Sequence, residues 1–304
     1  MDMNERKDFE VIIIGGSYAG LSAAMALGRS LRKVLVIDSG NPCNKQTPHS
    51  HNFLTQDGST PQEISKIAKY QVLKYDSIKF YEGLAISGKR INEGFEISAS
   101  NGDVFASKKL VLATGIKDQI HYIKGFLDCW GISIIHCPYC HGYEHKAVRT
   151  AILANGEKAF HLASLVNNLT NDLTILTSGK MDFNEEQLKK FDKHDIEVIE
   201  KEVVEVEHLN GHIEKVIFND GTKENFKTVY ANVPFEQHSN LPKELGCKFT
   251  EHGYIEVDFM HKTSEEDIFA CGDNSSMMRS VATAVYGGNI TGAAINKELT
   301  EENF

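Results

Sequence analysis

Cysteine is sparse, with six in 304 residues, too few to staple a secreted scaffold in place of a core. Basic residues are outnumbered: 32 Lys and Arg against 42 Asp and Glu leave a formal charge of −10. That balance repels phosphate backbones and anionic membrane surfaces, so neither nucleic acid nor membrane is an expected partner. No apolar run approaches the roughly 20 residues of a membrane-spanning helix. The opening Met1–Asp8 is charged and lacks an apolar leader stretch, so a secretory signal is not expected there. With no short repeats and no low-complexity tract, the chain reads as a cytoplasmic globular protein of about two domains. Its 41% hydrophobic residues can fill a sizeable core.

What is present is ordered. Phe9–Gly15 is a β-rich run ending in glycines, Leu21–Leu31 has helical periodicity, and Lys33–Asp38 is a second buried-type strand. Together they make a βαβ unit. Residues 41–60 form a polar loop, long enough to suggest function. A helix over Gln62–Lys74 and short strands near Ile78–Tyr81, Phe95–Ala99 and Val104–Ala106 lead to the buried strand Leu110–Gly115. A second βαβ unit follows: strand Arg149–Ala154, helix Lys158–Leu169, strand Leu173–Leu176. Two such units suggest two doubly wound domains.

In Gly15-Gly16-Ser17-Tyr18-Ala19-Gly20 the turn follows a strand and opens a helix. Glycine there lets backbone N–H groups approach a pyrophosphate at the positive helix end. Gly15 and Gly20 fit the first and third glycines of a dinucleotide fingerprint, and Ser17 departs from the second. Asp38, at the end of the second strand, stands where a carboxylate takes ribose hydroxyls. Near the C-terminus, Ile268–Asp273 ends a strand in Gly272-Asp273 and leads into a helix from about Ser280.

Cys137-Pro138-Tyr139-Cys140 can close a small redox disulfide. It can also be half a zinc site with His136, His141 or His145, although no second paired cluster completes one. An idle structural pair is a third reading. Cys43, Cys129, Cys247 and Cys271 have no redox spacing and read as core or surface thiols.

The glycine turn, Ala113-Thr114-Gly115 and Gly272-Asp273 resemble the motifs of the pyridine nucleotide-disulfide oxidoreductases over nearly the whole chain. The cysteine pair, placed just before the second βαβ unit, resembles the low-molecular-weight thioredoxin reductases. Cys137–Glu144, read C-P-Y-C-H-G-Y-E, is most similar to the dithiol oxidases of gliotoxin- and holomycin-type metabolites, as is the loop Thr47–Phe53. Thioredoxin reductases carry an acid after the second cysteine, where this chain has His141.

The resemblance implies an α/β protein of two Rossmann-like domains. The central one, 118–240, carries the redox pair and is inserted into a discontinuous FAD domain built from 1–117 and 241–304. It implies FAD contacts at Gly15, Ser17, Ala19, Gly20, Asp38 and Ser39, at His51 and Asn52 in the loop, at Thr114 and Gly115, and at Gly272, Asp273 and Val281. It gives Cys140 the flavin side, facing C4a, Cys137 the exchange with external sulfur, and His141 the acid–base role, an imidazole titrating near neutral pH. His49 reads as a packing residue of the loop. A homodimer is expected on the same ground.

The central domain departs from the family at its own nucleotide turn. The pattern asks for G-x-G-x-x-A, and Ala154-Asn155-Gly156-Glu157-Lys158-Ala159 lacks the first glycine. After Leu176 the family places a histidine and two arginines on the 2′-phosphate; this chain has Thr177-Ser178-Gly179-Lys180, and one lysine does not replace bidentate arginines. The expected function is therefore an FAD-dependent dithiol:disulfide oxidoreductase without a normal NADPH site, acting on a small-molecule dithiol or a thioredoxin-like protein. The rival readings are a reductase fed by NAD(P)H or ferredoxin and a flavin-binding redox sensor without turnover.

Overall fold

The computed structural model describes residues 7–304, so the charged segment Met1–Arg6 lies outside the described residues. Contacts divide the chain into two units. The first holds the described residues up to Lys45, Pro61–Lys117 and Phe235–Phe304; the second holds Gln46–Thr60 and Asp118–Pro234. The polar loop at 41–60 is thus shared, its Gln46–Thr60 part belonging with the central unit. The sequence places the chain's return to the first unit near residue 241; pairing of Phe235–Gln237 with Ile116–Asp118 draws it earlier. Both units are α/β with parallel sheets of Rossmann type.

The first unit is built on a seven-stranded sheet. Ile78–Glu82, Val34–Asp38, Lys7–Ile14 and Val104–Leu112 lie side by side in parallel. The far edge of Val104–Leu112 is divided: its first half pairs antiparallel with Gly94–Ala99, its last half parallel with Ile268–Ala270. The central stretches Val11–Ile14, Val34–Ile37 and Leu110–Leu112 are apolar because both sheet faces are covered there. Val11, Ile13, Val34, Val36 and Val111 face the helices Tyr18–Arg29 and Val281–Asn303. Ile12, Ile14, Leu35, Ile37 and Leu110 face the opposite core with Phe95 and Ile97. Register then positions the site. Ile14 pairs with Ile37 and with Leu112, and Leu112 with Ala270, so four strands end level.

Lys109 fastens the C-terminal helix to this sheet. Its side chain is 3% exposed and its ammonium meets Asp267, Glu302 and Glu298, the last at 3.0 Å. Burial works against that charge, but the three carboxylates outweigh it and hold the ammonium above the ordinary lysine range. Burial also opposes the Glu298 carboxylate, and Lys262 and Lys109 hold it below its usual range. Lys109→Met is expected to lower stability by about 2–3 kcal/mol at pH 7, because it strands a cluster of like charges. Urea midpoints measure it. A group whose folded pKa is depressed stabilises above its unfolded pKa, so the wild-type advantage should shrink as pH falls through the carboxylate range.

The second unit carries a five-stranded parallel sheet in the order Glu197–Ile199, Leu173–Leu176, Thr150–Leu153, Thr228–Ala231, Ile134–Ile135. The helix Gly156–Val166 crosses between Thr150–Leu153 and Leu173–Leu176. Val203–Leu209, His212–Phe218 and Lys223–Glu224 add a small antiparallel sheet. Among the described residues no helix is long and apolar enough to cross a membrane.

Candidate active site

The level strand ends bring the three glycine-bearing segments of the first unit to one sheet edge. Gly15 follows Ile14, Asp38 ends its strand, Thr114 and Gly115 follow Leu112, and Gly272 and Asp273 follow Ala270. Gly15 donates its N–H to Ile37 O at 2.8 Å and Gly16 to Asp38 Oδ1 at 3.0 Å, which seats the turn against the second strand. A Cβ on Gly15, at φ 106°, would stand 2.1 Å from Ala113 O, and one on Gly20 would stand 1.8 Å from Gly15 O. Only glycine permits this approach. Ser17 caps the helix Tyr18–Arg29 in an extended conformation with no side-chain hydrogen bond, and no acid occupies the first turn. The helix therefore presents open N–H groups and its positive end to an anion.

Gly272 packs against Ala19, where an added Cβ would lie 3.0 Å from Ala19 Cβ. Asp273 Oδ2 lies 3.8 Å from Arg279 Nε and 3.9 Å from Cys43 Sγ. Val281 begins the C-terminal helix behind Ser280, whose hydroxyl accepts from Thr283 N at 3.1 Å. Ser39 is exposed beside Asp38. Sequence reasoning missed Asn274. It is wholly buried, donates Nδ2 to Leu112 O at 2.8 Å and to Thr114 Oγ1 at 3.2 Å, and so ties two strand ends. Its Oδ1 has no partner among the described residues, which suits a site completed by a ligand. Open helix donors, a strand-end carboxylate, a clear space beside Gly115 and this acceptor fit a flavin dinucleotide.

The redox pair lies in the second unit. Cys137 and Cys140 are disulfide-bonded, with Cα atoms 5.3 Å apart. Proline opens the short helix Pro138–His141, and Cys140 N donates to Cys137 Sγ at 3.1 Å, a contact that favours negative charge on that sulfur. The other thiols are not comparable. Cys43 is exposed, while burial pushes Cys129 up to about 11, Cys271 to about 12 and Cys247 in the same direction.

His51 and Asn52 belong with this unit rather than with the glycine turn. His51 Nδ1 is 3.5 Å from Glu144 Oε1 and 3.6 Å from Asp57 Oδ1, and its ring stands edge-on to His141 with centroids 6.5 Å apart. Asn52, at φ 57°, donates its N–H to Asp57 Oδ1 at 2.8 Å, and His49 Nδ1 lies 2.9 Å from Gly58 O. Burial first, then the neighbouring His145 and His51, lower His141 to about 4, below the ordinary imidazole range.

At the second glycine turn the chain's own groups meet the helix start. Asn155 caps the helix Gly156–Val166, and its Oδ1 accepts from Gly156 N at 2.8 Å and from Asp182 N at 2.9 Å. Its Nδ2 donates to Lys180 O at 2.8 Å. The loop after Leu176 is thereby bound across the helix start, with the Asp182 carboxylate 3.5 Å from where a Gly156 Cβ would be. Glu157 adds a second carboxylate in the first turn, held by Gln187 Nε2 at 2.6 Å. A diphosphate needs free N–H groups and positive potential at such a turn. Here the first N–H is already taken, and two carboxylates stand beside it.

Residues 9–288 match the pyridine nucleotide-disulphide oxidoreductase family. The chain is 30% identical to the thioredoxin reductase tcpT of Claviceps purpurea, over 95% of this chain and 94% of that one. It superposes on an oxidoreductase from Agrobacterium tumefaciens with a TM-score of 0.91 at 32% identity, covering 97% of this chain and 99% of that one. A putative thioredoxin reductase TrxB from Bacillus anthracis gives 0.93 at 28% identity, over 97% and 100%. The chain therefore belongs to the pyridine nucleotide-disulphide oxidoreductase family, as a thioredoxin reductase-like flavoprotein disulfide oxidoreductase that uses FAD.

Proposed function

We propose that this enzyme runs in the oxidase direction, taking two electrons from a small-molecule dithiol through Cys137–Cys140 and not from NADPH. The observation that carries the reading is the closed second turn, where Asn155 holds the Lys180–Asp182 loop over the helix start. FAD is held by the first unit, with Gly15, Ser17, Ala19 and Gly20 at its diphosphate and Asp38 and Ser39 at its ribose. Thr114, Gly115, Gly272, Asp273 and Val281 line the flavin end. Bound FAD supplies a two-electron acceptor that oxygen can regenerate.

The chain's own residues carry out the sulfur chemistry. A substrate thiolate attacks Cys137 Sγ, breaking the Cys137–Cys140 bond and leaving the electron pair on Cys140. The second substrate thiol, losing its proton, attacks the mixed disulfide. A substrate disulfide leaves, and Cys137 departs as a thiolate that takes a proton. His141, kept neutral by burial, is available to accept a hydrogen bond from the incoming thiol.

A second reading, reduction of thioredoxin or another disulfide with NAD(P)H or an unusual donor, is favoured by the names of the relatives. One experiment separates the two. Under anaerobic conditions, dithiothreitol is expected to bleach the flavin at least about 10²-fold faster than equal NADPH, since two charge-assisted contacts to the 2′-phosphate are missing, and faster than NADH, since Asn155 takes the Gly156 N–H that either diphosphate needs. Peroxide should then form on admitting air. Bleaching by NADPH at the dithiol's rate would sink the oxidase reading, and no bleaching by any of the three would favour a sensor.

A further inference from the structure

We propose that Glu144 is a positioning residue for the Cys137–Cys140 pair, acting through His51 to carry off the proton that dithiol–disulfide exchange releases. The inference rests on the sulfur chemistry proposed above. The redox segment is surrounded by groups that hold or lose protons, and Glu144 is the carboxylate they share. Its Oε1 lies 3.5 Å from His51 Nδ1, and the His51 ring stands edge-on to His141, the residue after Cys140. His145 Nδ1 lies 2.6 Å from Thr228 Oγ1. Tyr230 projects from the same face of that strand two residues on, and its hydroxyl is buried with no partner among the described residues. The Glu144 charge reaches all three, favouring the protonated form of His141, His145 and Tyr230 against their burial or along with it.

His141 and His51 are both half-buried, the His51 side chain at 19% exposure, whereas that of Glu144 is 36% exposed. The carboxylate is the member of the three in contact with water. Asp57, at 69% exposure, also meets His51, and His212 adds its charge at His145. Glu144, four residues after Cys140, is the acid whose charge is felt at both His141 and His145.

The chemistry needs such an exit. Exchange converts a substrate with two S–H groups and an enzyme disulfide into a substrate disulfide, one Cys137 thiol and one Cys140 thiolate. One proton is left over. His141, half-buried and held below the ordinary imidazole range, keeps a proton poorly; His51 passes it to a carboxylate in contact with water.

The test reads sulfur rather than flavin. Flavin-loaded protein is mixed anaerobically with dithiothreitol, and formation of its cyclic disulfide in a single turnover is followed from pH 6 to about pH 10, past an ordinary thiol pKa of about 8.5. Glu144→Gln is expected to slow the step about tenfold near pH 7 and to match wild type at the alkaline end, where the substrate thiol ionises without help. Glu144→Asp should recover most of the rate. His51→Gln should show the same pH-dependent loss, which keeps the test available if Glu144→Gln misfolds. No loss, or a loss equal at every pH, overturns the proposal and leaves a solvated ion pair. Bleaching by NADPH would sink the proposed function yet leave this comparison readable, because the product followed comes from dithiothreitol itself.

Discussion

Cys140→Ser is expected to reduce dithiol-driven bleaching of the flavin by about 10³-fold or more while leaving its visible spectrum in place. The size follows from the loss of a whole step. Serine cannot form the disulfide that the substrate must open, and its hydroxyl ionises far above the range of a thiol. Removing one member of a unit that acts together costs nearly as much as removing all of it. The variant also separates the two sulfurs. Its remaining Cys137 thiolate can attack a linear disulfide such as oxidised glutathione, forming a mixed disulfide and releasing the other half as a free thiolate. With no Cys140 to resolve it and no tethered thiol to reverse it, that species should persist and appear as one glutathione mass on the intact protein. Unchanged bleaching, or a mixed disulfide that resolves at the wild-type rate, would refute the assignment of the two sulfurs.

Gly20→Ala should yield a protein that folds but loads poorly with FAD, its affinity reduced about 100-fold, equivalent to about 2.7 kcal/mol. The added Cβ would sit 1.8 Å from Gly15 O, so the helix start and the turn must part. Overpacking of this kind costs about 1–3 kcal/mol and is felt where the chain can yield, which is the turn itself. Ser17→Ala is the contrast. Ser17 makes no capping hydrogen bond and its replacement leaves the backbone N–H groups of the turn in place, so flavin content should change less than twofold. The flavin-to-protein absorbance ratio and the rise in melting temperature on adding FAD measure both. Full flavin content in Gly20→Ala would mean that the turn tolerates displacement and does not carry the dinucleotide.

Much of this site was legible because its signals are local. A glycine turn between an apolar strand and a helix, with Asp38 closing the next strand, fits within one βαβ unit, and periodicity reveals it. The cysteine pair announces itself by spacing. The structure adds that Ile14, Ile37, Leu112 and Ala270 end in register, which brings segments distant in sequence to one edge. What stayed illegible depends on side chains meeting across sequence. Asn155 stood in the turn as an unremarked position, and nothing local says that its amide will bind Asp182 and Lys180. His141 lies among polar neighbours, so no apolar pattern signals the burial that takes it to about 4. Asn274 looks like any strand-end residue until Leu112 and Thr114 are folded beside it. The division of the 41–60 loop is of the same kind, since a polar stretch has no periodicity to show which body it joins.

The divided edge of Val104–Leu112 also has a consequence for how the protein is made. Its last half waits for Ile268–Ala270, and Lys109 waits for Asp267, Glu298 and Glu302. At about 10 residues per second, the ribosome delivers Asp267 on the order of 15 s after Lys109. The discontinuous first unit is thus rich in late, long-range closures, whereas the five-stranded sheet of the second unit is complete in sequence once Ala231 has emerged. The thiol-bearing unit can consolidate first, and the first unit can close its divided edge and seat Lys109 only after Ile268–Ala270 and Glu302 have emerged, so the ion cluster is a late seal on a sheet begun far earlier.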